Sequence, residues 1–589
     1  MGNITKSEDR IRFSLLATYG SGGIIPIALF NIAGILVGLM GNISLGLSAF
    51  WLGVILIIPR LWDAVSDPVI GHLSDNTRTR WGRRRPFLLI GGILVAVFFV
   101  VMWWIPKGDM VRVWFPSESG FQAFQLVYIL FSLLLFYTAC TIFEIPHGAL
   151  GMEMTTDYHE RTRLFSAKSF VGNLFAMSTP WLFALASMEV FKGPGGNEAD
   201  GMRYVSILIA VILIPLAFWW FFKLKEPGFI RVAKQEKAPF WKDMKHTASN
   251  KNFIMLTLTI FTLAMGFNFV NLLGSYIPIF YIFGGDKVAG AYLLGINGTI
   301  WAITGVLAVF PLNWISPKLG KRNTLTIAIL LMCLAQLSKI ICYNPAYPYL
   351  IIIPTVLLST GMLFFFTLGA SMVGDICDED DLKTGHRTEG SFYSIFWWFI
   401  KMGTALASFV AGALIVFTMF DETQVIKVDA LQGSIRVLRS ELQSRKDDKP
   451  LTGNFEELIG KARMRSSELM SHLKAKSLES KNSKEHYEEL MQNIAGVNNR
   501  LENINTTSPP EFVDKELSTI ESEIVPLTKQ TPFTLLMMRV VEIGLPLLLA
   551  IFSIFFILRY SLTERRSHEI KDLLRQRNME CSTEESLSI

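Results

Sequence analysis

Long apolar runs separated by short polar ones dominate this chain. Twelve of the runs reach the ~18 residues that separate a membrane span from a buried core helix. They cover Phe13–Leu39, Leu47–Leu73, Pro86–Ile105, Ala123–Pro146, Phe165–Met188 and Tyr204–Phe222, then Phe253–Tyr281, Ala289–Pro311, Leu325–Cys342, Tyr349–Val373, Ser391–Phe420 and Phe533–Leu558. The pattern divides the chain into a six-span half over 1–222, a basic linker over 223–252, spans 7–11 over 253–420, a polar segment over 421–531, a twelfth span over 532–559 and a tail over 560–589. Corresponding loops of the two halves both carry Gly followed by basic residues: Gly82-Arg-Arg-Arg85 after span 2 and Gly320-Lys-Arg322 after span 8. Two six-span halves around a central site is a transporter plan. The predicted fold is therefore an all-α membrane protein.

The polar segment 421–531 follows a different rule. Leu431, Ile435, Leu438 and Leu442 repeat at 4-3-4 spacing, and Leu490, Ile494, Val497, Leu501 and Ile504 at 4-3-4-3. Such seams bury one face of a helix against another. The spacing predicts a coiled-coil-like helical hairpin or bundle, with turns at Pro450–Gly453 and Ser508–Pro510, inserted between spans 11 and 12.

Charge adds sidedness. Lys and Arg number 55 against 50 Asp and Glu, a net +5, and outside 421–531 they concentrate in the loops after spans 2, 6 and 8 and in the tail. Parity puts all of these on one side, so both termini are expected in the cytoplasm and the insert outside. The small excess is loop charge, not an affinity for nucleic acid. Only 18% of residues are charged, against the ~25% of soluble domains, which excludes an ordinary soluble enzyme or a disordered chain. None of the 5 Cys falls in 421–531, so no disulfide framework is expected. No phosphate-binding Gly-rich loop, His-Glu-x-x-His or nucleophile elbow is present, so neither an ATP-driven pump nor an enzyme is expected, and no cofactor beyond a coupling ion.

An ionisable group inside a span costs at least ~2.5–3.5 kcal/mol, which marks it as functional. Asp63 and Asp67 are i and i+4 on span 2 and share a face, with Ser66 beside them and Pro68 freeing a backbone carbonyl. These hard oxygens suit an alkali cation. The pair could instead share a proton, or form a structural salt bridge with Arg60 or Lys401. Asp63 and Lys401 both lie about ten residues, ~15 Å, from the inner end of their spans, near the midplane. Thr141 and Glu144 share a face of span 4. Lys168 lies about one turn from the inner surface, where a lysine snorkels. Trp397 and Trp398 could form a platform for a sugar ring or pack against lipid, and Asn268 is either a ligand or a helix-packing group. A loop Asp375–Glu389 crowded with acids, together with Arg60, Asp75, Arg83, Arg161 and Arg387, is the candidate charge network latching the halves. Surface pairs are worth only ~0–1 kcal/mol each, as suits a latch that must open.

Several stretches taken together carry a family signature: Arg60-Leu-Trp-Asp63-Ala-Val-Ser66-Asp67-Pro68, Thr79 to Pro86, Thr141-Ile-Phe-Glu144-Ile-Pro146, Asp157 to Thr162, Asp375 to Gly390, Lys401, and Tyr560 to Arg565. They resemble the glycoside–pentoside–hexuronide:cation symporters, the melibiose-permease-like branch of the major facilitator superfamily. The resemblance covers nearly all of the chain outside 421–531. It implies a twelve-span 6+6 fold and sodium- or proton-coupled sugar or glycoside uptake by alternating access. It implies a cation site of Asp63, Ser66, Asp67 and Thr141 with Lys401 near it, and a substrate contact at Glu144. Two departures stand out. Span 1 reads Gly22-Gly-Ile-Ile-Pro-Ile27 without the sugar-binding acid of melibiose carriers, and Lys168 or Ser169 stands where they have a span-5 Arg. Other readings are a carrier of an amphiphilic substrate such as a lysolipid, or a non-transporting sensor or scaffold using the insert. A monomer in a bacterial inner (plasma) membrane is expected, contacting lipid and, through 421–531, an extracytoplasmic partner.

Overall fold

The computed structural model describes residues 10–587 except 30–31, 34–35, 38–39, 42–44, 46, 48, 107–110, 112, 116, 179–180, 183–184, 187, 193–197, 228–239, 275, 386, 446–453, 480–482 and 505–508. The described residues are almost wholly helical. The first half contains α1 (Phe13–Ser21), α2 (Ala49–Asn76), α3 (Arg85–Trp103), α4 (Glu118–Glu153), α5 (Tyr158–Ala176) and α6 (Glu198–Lys223). The second contains α7 (Lys251–Gly274), α8 (Lys287–Leu307), α9 (Val309–Cys342), α10 (Ile352–Thr384) and α11 (Glu389–Phe417). Then come α12 (Glu422–Arg445), α13 (Asn454–Glu479), α14 (Lys484–Asn503), α15 (Pro510–Ile524), α16 (Pro532–Arg559) and the tail helix α17 (Glu564–Leu587). Both α1 and α7 continue into a wide π turn, Ile24–Leu29 and Ile277–Ile282, so the first helix of each half is widened in the same way.

Among the described residues, seven helices are long and apolar enough to cross a membrane. The apolar surface of α2 shows how its charges are accommodated. Leu61, Val65, Val69 and Leu73 repeat every four residues and are 47–59% exposed, while Asp63 and Asp67 on another face are fully buried. The apolar stripe faces outward and the acids face inward, as a helix in lipid requires. One apolar core joins residues of α1–α4 and α6. A second joins α7, α9–α11 and α16, and takes in Ile145, Met152 and Phe165 from the first half. The halves also meet where α2 crosses α11. There a Cβ on Gly71 would lie 2.6 Å from the carbonyl oxygen of Gly390, and one on Gly390 would lie 2.7 Å from that of Gly71. Only glycine permits so close a backbone approach.

Helices α12–α15 pack into a bundle with its own core. All nine seam residues, Leu431 through Leu442 and Leu490 through Ile504, are buried in it. Each contributes about 1.5–3 kcal/mol when taken from water. There are four helices rather than two, and the turn at Pro450–Gly453, like Ser508, lies outside the described residues. The bundle meets the remainder of the chain where Thr528 Oγ1 donates to the Gly285 carbonyl at 3.0 Å.

Three sequence boundaries need correction. Helix α5 begins at Tyr158, not Phe165, because Asp157 caps it, accepting the backbone N–H groups of His159 and Glu160 at 3.0 Å each. Residues Asp375–Thr384, expected in a loop, are the last turns of α10, closed by Gly385 in the left-handed region (φ 76°). The Gly-Lys-Arg loop after span 8 shrinks to a tight bend at Gly320 (φ 76°, ψ 159°), where two helices meet end to end within α9.

Candidate ion-coupling site and the cluster that closes one end

Helix α2 brings Asp63 and Asp67 to the face that meets α4 and α11. From α11, the Lys401 ammonium reaches Asp67 at 2.7 Å and Asp63 at 2.9 Å. From α4, Thr141 Oγ1 donates to the other oxygen of Asp67 at 2.9 Å. Ser66 Oγ is buried beside them with no hydrogen-bond partner among the described residues. The salt-bridge alternative is thus present, with Lys401 and not Arg60 as the base. It is an unbalanced one, since two carboxylates share one ammonium.

Toward the end bearing the basic loops, Glu144 accepts from Lys168 Nζ at 2.8 and 3.0 Å and from the Tyr393 hydroxyl at 2.8 Å. Lys168 does not snorkel. Because α5 starts early, Lys168 lies ten residues into the helix, ~15 Å deep, where burial requires a partner. Tyr393 fits only because residue 148 is glycine: a Cβ there would lie 2.0 Å from its ring. Trp397 stacks on Phe366 (centroids 6.3 Å, 14°), and Trp398 stands edge-on to Phe399. Asn268 donates to the Thr404 carbonyl at 2.6 Å, a helix-packing bond.

At the basic end itself the network is buried rather than superficial. Arg83 binds Glu153 at 2.8 Å and Glu389 at 2.7 Å, and Arg84 binds Glu153 at 2.8 Å and Asp75. Asp75 also accepts the backbone N–H groups of Gly390 at 3.0 Å and Ser391 at 2.8 Å, tying α2 to α11. Arg161 reaches across the halves to Asp375 and to Asp378 at 2.6 Å, while Lys321 holds Asp375 at 2.6 Å. Arg387 binds Glu389 at 2.6 Å. Glu226 caps the start of α3, accepting the backbone N–H groups of Arg83, Arg84 and Arg85. Glu389 precedes the apolar part of α11. Burial alone would raise its pKa, but Arg387, Arg83 and Arg84 outweigh burial and hold it at about 2. The expectation of weak surface pairs is therefore corrected: these are desolvated ions in a paired network. Arg60 is no member. It is exposed on α2, fifteen residues before Asp75, ~22 Å along the helix.

Sequence reading passed over Arg84, Glu153, Lys321 and Tyr393 as partners. It also passed over a buried pair inside the second half, Lys339 on α9 and Glu542 on α16, which the Tyr343 hydroxyl joins at 3.1 Å. Arg84 had a signal in its basic run. Lys339 and Glu542 had one as lone charges in apolar spans. Tyr393 had none.

A two-half helical bundle with buried charges at the seam and one end closed by ion pairs defines a membrane transporter. The chain belongs to the family described as MFS/sugar transport protein, whose model matches residues 18–440. It is an integral membrane protein and not an enzyme. It is 26% identical over 375 residues to the isoprimeverose transporter of Lactiplantibacillus pentosus, covering 63% of this chain and 73% of that one. It is 23% identical to the sodium-dependent lysophosphatidylcholine symporter 1-A of Danio rerio, covering 66% of this chain and 74% of the relative. Its fold is similar to that of a bacterial homologue of the iron transporter ferroportin in an outward-facing state (TM-score 0.53, 13% identity, covering 69% and 93% of the two chains).

Proposed function

We propose that the protein is a symporter that couples uptake of a sugar or glycoside to a gradient of Na+ or H+. The observation that carries this reading is the uneven charge between α2 and α11. Asp63 and Asp67 are buried with one ammonium, leaving a negative charge in a medium that solvates it poorly. A monovalent cation relieves that cost, with the Asp63 and Asp67 carboxylates, Ser66 Oγ and Thr141 Oγ1 as its oxygen donors. The incoming cation competes with Lys401 for the same oxygens. The acids belong to the first half and the lysine to the second, so cation binding weakens a link between halves and shifts the balance between conformations.

The remaining assignments follow the same reading. The Lys and Arg of the basic end support a cytoplasmic location for it and for both termini, with α12–α15 outside. The proposed working form is a twelve-span monomer in a bacterial inner membrane. Glu144, Lys168 and Tyr393 lie between the cation site and the closed end. Sugar hydroxyls could replace Tyr393 and Lys168 on Glu144, with Asn268, Trp397 and Trp398 nearby on α7 and α11. The relative named for lysophosphatidylcholine, and a first span without an acid, favour an amphiphilic substrate as the second reading.

Uptake of labelled glycosides into proteoliposomes under a Na+ gradient, a proton gradient or neither tests the proposal. Accumulation that collapses with the gradient is expected. Equal uptake in all three conditions would reject coupling. Inhibition by lysolipid but not by excess sugar would move the assignment to the second reading.

A further inference from the structure

A second cluster of ligating groups lies at the basic end, away from the ion-coupling site. His159 stands in the first turn of α5. Glu564 and His568 stand one turn apart at the start of the tail helix α17. One ligand atom from each falls within 4.8 Å of the other two. The Glu564 carboxylate oxygen lies 3.1 Å from His159 Nε2 and 3.7 Å from His568 Nε2. Yet both ring nitrogens of His159 and Nε2 of His568 are buried without a hydrogen bond of acceptable geometry among the described residues. The nitrogens approach the carboxylate at contact distance without pointing a proton at it.

That is the arrangement of ligands around a shared ion. Zinc bonds to imidazole nitrogen and carboxylate oxygen are ~2.0–2.2 Å, which makes a tetrahedral edge ~3.3 Å, between the two separations seen here. Two imidazoles and a carboxylate are the donor set of three-ligand zinc sites that keep a fourth position open. A cavity of about 660 Å³, lined by Glu564, His568, Glu569, Asp572 and Gly320, opens beside the cluster and provides an entry path. The nearby cations are engaged elsewhere: Lys321 on Asp375, Arg322 on the Leu558 carbonyl and Arg565 on Glu569.

We propose that His159, Glu564 and His568 form a zinc site that fastens the tail helix to the first half of the transporter. The tail follows α16, the last helix of the second half, so the ion crosses the junction that alternating access must open. It therefore holds the basic end closed. This consequence rests on the carrier reading above; the binding of zinc does not.

The full-length protein, purified in detergent and stripped with a chelator, is titrated with zinc chloride against a fluorescent zinc indicator. One tightly held ion per chain is expected. His159→Ala and His568→Ala should each weaken it by more than ~100-fold, beyond the ~10–100-fold cost of losing an outer-shell partner. X-ray absorption should show nitrogen and oxygen neighbours and no sulfur. Limited trypsin digestion provides a readout independent of transport: zinc should slow cleavage in α17 of the parent protein and not of His568→Ala, whose melting temperature without zinc should match the parent. Zinc binding unchanged in both variants, or a sulfur shell, would overturn the site. Tail cleavage indifferent to zinc would overturn the fastening, whatever the protein transports.

Discussion

The two halves are joined by charge in two places, and the two places differ in balance. At the basic end, Arg83, Arg84, Arg161, Lys321 and Arg387 face Asp75, Glu153, Asp375, Asp378 and Glu389, so each base has an acid. Beside Lys401, two acids share one base. Buried ions repay their desolvation only when well paired and hydrogen-bonded. A balanced cluster needs nothing further and therefore closes. An unbalanced one is incomplete, which is the basis of the proposed ion binding. The same chemistry, counted differently, separates a seal from a receptor for ions.

That contrast can be broken experimentally. The largest effect should come from Asp67→Asn, which leaves Lys401 with one carboxylate, Asp63, and no surplus negative charge. Cation-stimulated uptake should disappear, and stimulation surviving in both this variant and Asp63→Asn would refute the ion-binding role. Next is Arg83→Ala, which leaves Glu389 to Arg387 and Glu153 to Arg84 and removes the base that joins the two acids. Removing one member of a buried pair costs about 3–5 kcal/mol, so the variant should unfold at markedly lower temperature. Acid sharpens the comparison. Glu389 titrates near 2 in the folded chain against an ordinary 4.5. Its contribution to the seal is complete above pH 4.5 and fades as the pH falls toward 2. Thermal unfolding followed from pH 6 to 3 should show falling stability, and the fall should be smaller in Glu389→Gln, which is already weaker at pH 6. Arg60→Ala should do least, within about 0.5 kcal/mol, because its side chain is exposed outside both clusters. A large loss there would mean the ion site has a second base.

What could be read from the chain depended on how local each signal was. Asp63 and Asp67 stand out because an acid in an apolar run has no local excuse. The seams of α12 and α14 were legible because 3-4 spacing is written within a few turns. The seal was harder. The run of acids from Asp375 to Asp381 reads as a loop forming weak surface pairs, and the groups that allow it to be helical and buried lie far away in sequence. Arg161 is 214 residues from Asp375. Lys168 was misplaced for a smaller reason. Its depth is set by where α5 starts, and the cap at Asp157 lies before the apolar run that suggested the boundary. The pairing of Lys339 with Glu542 needed both spans to be seen together.

The glycines at the crossing of α2 and α11 have a mechanical consequence. Gly71 and Gly390 bring no side chains of their own to the point where the two backbones touch, beside Ser394, Asp75 and Arg84. Helices meshed by side chains must re-seat their rotamers each time they part. A smooth bearing does not, so the halves can separate and return many times along one track while the ions around them decide when.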